Sequence, residues 1–330
     1  MDKKENLTMQ TNEITHCNLC KSQGEYIYKS LKDRIFNTPG DWNLKKCSNP
    51  ECEFIWLDPM PVEKDIYLAY KSYFTHSKRE LKRNSFKSNL LTIVRRTFFI
   101  LTGAYSLRKV GFEYNKMYLP TNSKGRLLEV GCGDGYRLAR MRGFGWKVEG
   151  QEVDSLAAQV TSKSYGIKVH IGKLEDIKLP SNTYDCIIMV HVIEHVHDLY
   201  SILKECYRIL KPKGTLVFLT PNINSYGHNK FKVNWLHLDP PRHLYLFSPK
   251  SMKNLLDKFE FKSYEIFTTP LNAHSSYSGS KKITKTGKLT SDKQIRWIDS
   301  IREIIFQRKA FNAYQKDYLS GEELVVKISK

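Results

Sequence analysis

The sequence predicts an α/β fold built on a doubly wound, mostly parallel sheet, and three observations support this. Short apolar segments alternate with helical segments from residue 125 onward. A glycine-rich turn, 131–135, joins the first of these strands to a helix. The run Tyr184–Val190 is apolar almost throughout, which is typical of a central parallel strand buried on both faces.

The elements follow one another in the order that such a sheet requires. Predicted strands lie at 126–130, 146–151, 169–171, 184–190, 214–220, 262–268 and 323–328. Predicted helices lie between them at 136–143, 155–165, 199–210 and 248–259. A further helical insertion is expected at about 275–318, inside a domain that spans 121–330.

Two smaller segments precede this domain. Residues 1–61 form a loop-rich cysteine module with short strands, and 62–120 form a basic helical linker or lid. Within the linker, 62–74 is predicted as a helix that ends in Tyr73-Phe74. The apolar stretch 90–101 is too short and too charged to span a bilayer, so it is either a core or lid helix or a helix lying on an anionic membrane.

Composition and charge limit the function classes. The chain has 330 residues and carries a net charge of +19. Its hydrophobic fraction of 41% is normal for a globular protein and argues against wholesale disorder. Positive charge concentrates in 76–116 and 281–309. It marks either solvated helix faces or contact with an anionic partner. That partner is a phosphorylated substrate, an acidic membrane surface contacted through 78–116, or a nucleic acid. With a polar start and no spanning segment, we expect a cytoplasmic protein, and peripheral contact with the inner face of the membrane stays open as an alternative.

The glycine-rich turn indicates a nucleotide-like ligand. Gly131 and Gly133 allow backbone torsions and close ligand approach that a Cβ would block. About twenty residues later, the second strand ends at Gln151 and Glu152, where a carboxylate can accept hydrogen bonds from ribose hydroxyls. Position 136 is Tyr rather than the Gly that the dinucleotide fingerprint requires.

The same residues complete the pattern E-x-G-x-G-x-G with Glu129 and Gly135. This pattern resembles class I methyltransferases that use S-adenosylmethionine (SAM), and the resemblance implies a Rossmann-like, seven-stranded sheet. It also implies a SAM site whose residues are Glu129, Gly131, Cys132, Gly133, Gly135, Gln151, Glu152, Leu174 and Glu175. Many family members carry Asp where this chain has Lys173.

His191, Glu194 and His195 follow the predicted fourth strand and are catalytic candidates, and His243 in the later segment 239–245 is a fourth. Three roles remain open, namely a structural cap, a general base at His191 or His243, and a catalytic divalent metal site. The order of these four residues along the chain is similar to the pattern Glu-x-x-Glu-His with a later His. That pattern is found in small-RNA 2′-O-methyltransferases and quinone-biosynthesis O-methyltransferases. His191 replaces the first Glu of that pattern.

The cysteines predict a second metal site. Cys17-x2-Cys20 and Cys47-x4-Cys52 supply four thiolates in two pairs, which suits a structural zinc in a zinc-ribbon-like module. Cys132, Cys186 and Cys206 are scattered singly, as small core residues are.

The predicted methyl acceptor is implied by a resemblance to known methyltransferases, and no single residue of the chain indicates it. A similar cysteine module before an aromatic Tyr-Phe segment occurs in bacterial methyltransferases of sugar and surface-polysaccharide pathways. This implies O-methylation of a sugar or glycan, nucleotide-linked or lipid-linked. The alternatives are a sugar C-methyltransferase, an RNA methyltransferase and a catalytically silent SAM-binding protein. The chain has no Asn/Asp-Pro-Pro-Tyr motif, so a nucleic-acid partner is disfavoured.

Overall fold

The computed structural model describes residues 9–70, 105–121, 124–289 and 297–330. The predicted Tyr73-Phe74 segment, the apolar stretch 90–101 and most of the basic segment 76–116 lie outside these ranges. Part of the second basic segment, 290–296, lies outside them as well.

The N-terminal segment contributes three strands to one small antiparallel sheet and forms a separate two-stranded pair. Its strands are β1 (Thr11–Asn12), β2 (Gly24–Leu31), β3 (Trp42–Cys47), β4 (Ile55–Asp58) and β5 (Met60–Pro61). Strands β2, β3 and β4 pair in order, while β1 pairs with β5. Every side chain of β4 is buried, and Trp42 and Trp56 are among the largest buried side chains. This sheet therefore packs on the rest of the molecule rather than standing apart.

The main sheet has seven strands. They are β6 (Arg126–Val130), β7 (Lys147–Glu152), β8 (Val169–Ile171), β9 (Tyr184–Val190), β10 (Leu210–Pro221), β12 (Ser263–Thr269) and β13 (Glu323–Ser329), and β11 (Tyr245–Leu246) instead joins β4. The order is β12-β13-β10-β9-β6-β7-β8, with β13 antiparallel to both neighbours. The strand order reverses between β6 and β9, so ligands are expected at the carboxyl ends of these strands. The predicted doubly wound sheet is confirmed.

Helices cover both faces of this sheet. They are α1 (Tyr105–Asn115), α2 (Tyr136–Gly143), α3 (Ser155–Tyr165), α4 (Leu199–Ile209), α5 (Tyr226–Phe231), α6 (Pro249–Leu256), α7 (Ala273–Thr286) and α8 (Trp297–Lys316). Asp154 and Asp198 cap α3 and α4 by accepting backbone N–H bonds. Helices α7 and α8 lie within the predicted insertion. The predicted helix 62–74 is instead a short 3₁₀ turn, Ile66–Tyr70, as far as the described residues extend.

The central strand β9 explains how the two cores form. Its side chains alternate between two hydrophobic clusters, with Ile187 and Met189 in one and Ile188 and Val190 in the other. The first cluster also contains Trp56 and the buried residues of β11, so the N-terminal sheet shares a core with the main domain. In the ranges that the structure describes, no helix is long and apolar enough to cross a membrane.

Candidate functional site

The glycine loop lies at the carboxyl end of β6, between β7 and β9. The amide of Gly131 donates to Oε1 of Gln151 at 3.1 Å, and the amide of Gly133 donates to Oε2 of Glu152 at 2.8 Å. The hydroxyl of Thr161 donates to the Gly133 carbonyl at 2.7 Å. Polar side chains from β7 and α3 thus fix the backbone of the loop in place.

Gly131 shows why this loop needs glycine. Its φ is +65°, a left-handed torsion that L side chains rarely adopt. A Cβ at this position would also lie 2.5 Å from a methyl carbon of Val192, which follows β9. Any larger residue would therefore distort the loop or push away the segment that carries the histidines.

Glu129 is fully buried beside the loop. Its Oε1 accepts from Arg137 of α2, but its Oε2 has no hydrogen-bond partner among the described residues. Burial raises the pKa of Glu129, and Arg137 opposes that shift. A buried acceptor left open beside a glycine loop fits the cationic ammonium group of a bound amino acid moiety.

Glu152 ends β7 and is 8% exposed. Besides the Gly133 amide, its carboxylate accepts from the amides of Val153 at 2.8 Å and Asp154 at 3.0 Å. A carboxylate offers about four acceptor sites, so roughly one remains for a ribose hydroxyl. Leu174 is buried after β8, and Glu175 is half-buried beside it, where burial raises its pKa. The predicted SAM residues therefore line adjacent strand ends.

Three of the predicted catalytic residues converge. Glu194 and His195 belong to a 3₁₀ turn, Ile193–His195, that follows β9, and His243 precedes β11. One ligand atom from each of Glu194, His195 and His243 lies within 4.8 Å of the other two. The two imidazole rings are 4.7 Å apart.

The two imidazoles are oriented by backbone carbonyls. His195 Nδ1 lies 2.8 Å from the Arg242 carbonyl oxygen, and His243 Nδ1 lies 2.8 Å from the His237 carbonyl oxygen. A carbonyl oxygen only accepts, so each Nδ1 carries a proton and donates it. Burial lowers the pKa of both histidines, which keeps them neutral. Each Nε2 then bears a free lone pair, the arrangement that metal-binding histidines have.

His191 lies beside the triad of Glu194, His195 and His243, but its hydrogen bonds favour a different protonation state. Its Nδ1 is 3.1 Å from Glu194 Oε1, and its Nε2 is 2.7 Å from Glu323 Oε1. Burial lowers the pKa of His191, but these two carboxylates outweigh it and raise the pKa to about 10. With both nitrogens donating to carboxylates, His191 has no lone pair to accept a proton. This geometry disfavours the general-base alternative for His191.

Several residues of this site were not predicted. Glu323 begins β13, more than a hundred residues after His191, and the Tyr70 hydroxyl oxygen lies 3.0 Å from His195 Nδ1. The ring of His237 stacks parallel to that of His191, with centroids 6.1 Å apart. Arg137 is the second residue of α2, so its place directly after the glycine loop was a local signal for the cation beside Glu129.

The four N-terminal cysteines also come together. Their Sγ atoms all lie within 4.8 Å of one another, with Cys17 and Cys52 at 3.6 Å and Cys20 and Cys47 at 3.3 Å. All four are free thiols in the structure. Four sulfurs about 2.3 Å from one Zn²⁺ would lie roughly 3.8 Å apart, so the cluster has the size of a tetrahedral zinc site.

Comparisons with known proteins agree with this geometry. Residues 107–266 match the model of a family described as a methyltransferase domain. A protein of Mycolicibacterium smegmatis named "Probable S-adenosylmethionine-dependent methyltransferase" is 32% identical over 97 residues, covering 29% of this chain and 38% of that protein. A ubiquinone biosynthesis O-methyltransferase of Rhodopseudomonas palustris is 31% identical over 120 residues, covering 34% and 46%.

The matches are partial. This chain spans less than half the length of the two curated relatives it matches. A solved SAM-dependent methyltransferase from Archaeoglobus fulgidus is 18% identical, with a TM-score of 0.45, covering 71% of this chain and 99% of that one.

Proposed function

We propose that this chain, whose residues 107–266 match the model of a methyltransferase domain, transfers the methyl group of SAM to a hydroxyl oxygen of a sugar or glycan. The acceptor is nucleotide-linked or lipid-linked and belongs to a bacterial surface-polysaccharide or related pathway. The observation that carries O-methylation is the convergence of Glu194, His195 and His243.

The residues of the glycine loop fit SAM. The unpartnered oxygen of Glu129 suits the ammonium of the methionyl part, and the remaining acceptor site of Glu152 suits a ribose hydroxyl. SAM supplies an electrophilic methyl group on a sulfonium. The protein must hold the acceptor oxygen in line with that methyl carbon, which is the larger share of its catalytic task.

A hydroxyl is a weak nucleophile until its proton leaves. The triad of Glu194, His195 and His243 can promote the loss of that proton by holding a metal ion. Glu194 offers a carboxylate, and His195 and His243 offer neutral Nε2 atoms. This donor set suits a divalent cation such as Mn²⁺ or Zn²⁺, which as a Lewis acid would lower the pKa of a hydroxyl. The Thr220 hydroxyl donates to Glu194 Oε2 at 3.0 Å and so orients that carboxylate.

The charge of the chain supports the proposed class of acceptor independently of the triad. The net charge of +19 favours an anionic acceptor, such as a sugar nucleotide or a lipid pyrophosphate glycan. The basic segment 78–116 would meet its phosphates or the inner membrane surface. The cysteine cluster would hold a structural zinc, because four thiolates at tetrahedral spacing leave no open position for chemistry.

The test separates cofactor, metal and acceptor. Calorimetry should show micromolar SAM binding, and transfer of labelled methyl to a panel of sugar nucleotides and lipid-linked glycans should require Mn²⁺ or Zn²⁺. Glu194→Gln should keep SAM affinity and lose transfer. The matched control is His170→Gln, since His170 contacts Glu149 instead of the triad. Full transfer by Glu194→Gln would contradict metal-assisted O-methylation.

The competing functions give different results in the same experiments. An RNA methyltransferase would retain RNA on a filter at low salt and lose it steeply as salt rises. A sugar C-methyltransferase would place the label on carbon, as mass spectrometry of the product would show. A silent SAM-binding protein would bind SAM and methylate none of the acceptors.

A further inference from the structure

The side chain of Arg242, next to His243, is completely buried and fully hydrogen-bonded. Its Nη1 donates to Asp33 Oδ2 at 2.8 Å and to the Ala69 carbonyl at 3.3 Å, and its Nη2 donates to Asp33 Oδ1 at 2.8 Å. Its Nε and Nη2 also donate to the carboxylate of Asp239. All five donors of the guanidinium thus have acceptors.

Asp33 is the charged partner of Arg242 that lies far from it in the chain, outside the loop 239–244. It follows β2 in the N-terminal sheet and is 4% exposed. Its carboxylate also accepts from the amides of Ile35, Phe36 and Thr38 at 2.9–3.0 Å. Asp33 is therefore fixed by its own loop before it meets Arg242, and it can act as a rigid anchor.

The loop 239–244 that Asp33 anchors carries the parts that orient the triad. The Arg242 carbonyl accepts from His195 Nδ1, and the Asp239 carbonyl accepts from the amides of Arg242 and His243 at 3.0 Å. The amide of Leu244 donates to the Glu194 carbonyl at 2.8 Å. A displacement of Arg242 would move the carbonyl that orients His195 and the backbone that carries His243.

We propose that Asp33 of the N-terminal segment is a positioning residue, which acts through Arg242 to aim His195 and His243 at the divalent cation. This rests on the metal site of the proposed function. It assigns the N-terminal segment a part in the catalytic site that is separate from its cysteine cluster. Without Asp33, two donors of a buried guanidinium lose their acceptors, and the loop must move to find others.

The variant Asp33→Asn tests this, because it keeps the shape but turns one acceptor oxygen into a donor. The matched control is Asp58→Asn in the same sheet, since Asp58 is 2% exposed and pairs with Lys45 at 2.8 Å. Where Asp33→Asn does not fold, Arg242→Lys replaces it, because Lys keeps the charge but lacks the two-pronged contact.

Two readouts are used on the full chain. In metal-free protein, ¹⁵N spectra of the imidazoles should show His195 and His243 as Nδ1–H tautomers, and Asp33→Asn should shift His195 toward a tautomer mixture. Mn²⁺ titration followed by electron paramagnetic resonance should show 10–100-fold weaker binding in Asp33→Asn, the loss typical of residues that orient metal ligands. Asp58→Asn should leave both readouts as in wild type.

The outcomes separate this inference from the proposed function. Wild-type tautomers and wild-type Mn²⁺ affinity in both Asp33→Asn and Arg242→Lys would overturn the positioning role. So would an equal change in Asp58→Asn, because the effect would then be general loss of stability. If the wild-type protein binds no Mn²⁺, the proposed metal site is wrong. The tautomer spectra of the metal-free protein would still show whether Asp33 positions His195.

Discussion

Glu322 precedes β13 and is 3% exposed, with no cation among its contacts. Its Oε1 accepts from the Gly227 amide at 2.8 Å, and its Oε2 lies near the Ser276 hydroxyl, close to the space where a Gly227 Cβ would sit. Burial raises the pKa of Glu322 from 4.5 to about 8, and the Gly227 amide opposes that rise. At neutral pH this group is an uncharged acid that joins α5, α7 and β13.

The raised pKa has a stability cost with a defined sign. Between pH 4.5 and 8 the folded chain holds a proton on Glu322 that the unfolded chain has lost, so stability falls as pH rises through this window. The slope is about 1.4 kcal/mol per pH unit, and the whole window amounts to roughly 5 kcal/mol. Glu322→Gln removes the titration while keeping an oxygen for Gly227 and a donor for Ser276.

Urea unfolding followed by tryptophan fluorescence measures this effect. From pH 6 to pH 8, Glu322→Gln should gain roughly 2 kcal/mol of unfolding free energy relative to wild type. Glu265→Gln, whose side chain is 70% exposed, should follow wild type at every pH. Parallel curves for wild type and Glu322→Gln across this range would refute the assignment of a neutral, buried Glu322.

Other predictions concern the two ligand sites. Gly131→Ala should weaken SAM binding at least tenfold by calorimetry, because its new Cβ would lie 2.5 Å from a valine methyl carbon, whereas Gly111→Ala meets nothing within 4 Å and should bind normally. Glu152→Ala removes three backbone hydrogen bonds and should cost SAM affinity by about tenfold or more, and unchanged affinity would argue against this pocket. Cys52→Ser should lower the zinc content by elemental analysis and the unfolding temperature, while Cys206→Ser should keep the zinc.

Local patterns predicted much of this molecule. The alternation of apolar and helical segments predicted each strand of the main sheet, since side-chain periodicity depends on neighbours in the chain. The glycines of the 131–135 loop could be recognised because left-handed torsions are a property of single residues. The spacing of the four cysteines likewise indicated that they would meet, and their Sγ atoms do.

The sequence by itself thus determined the fold class, the glycine loop and the cysteine cluster. The protonation state of each histidine could not be predicted from local sequence, because it depends on partners far along the chain. Glu194 and the distant Glu323 raise the pKa of His191, and the carbonyl of Arg242, whose side chain contacts Asp33, leaves His195 a free lone pair. These residues meet because sheet order, rather than chain order, sets which strand ends and loops are neighbours.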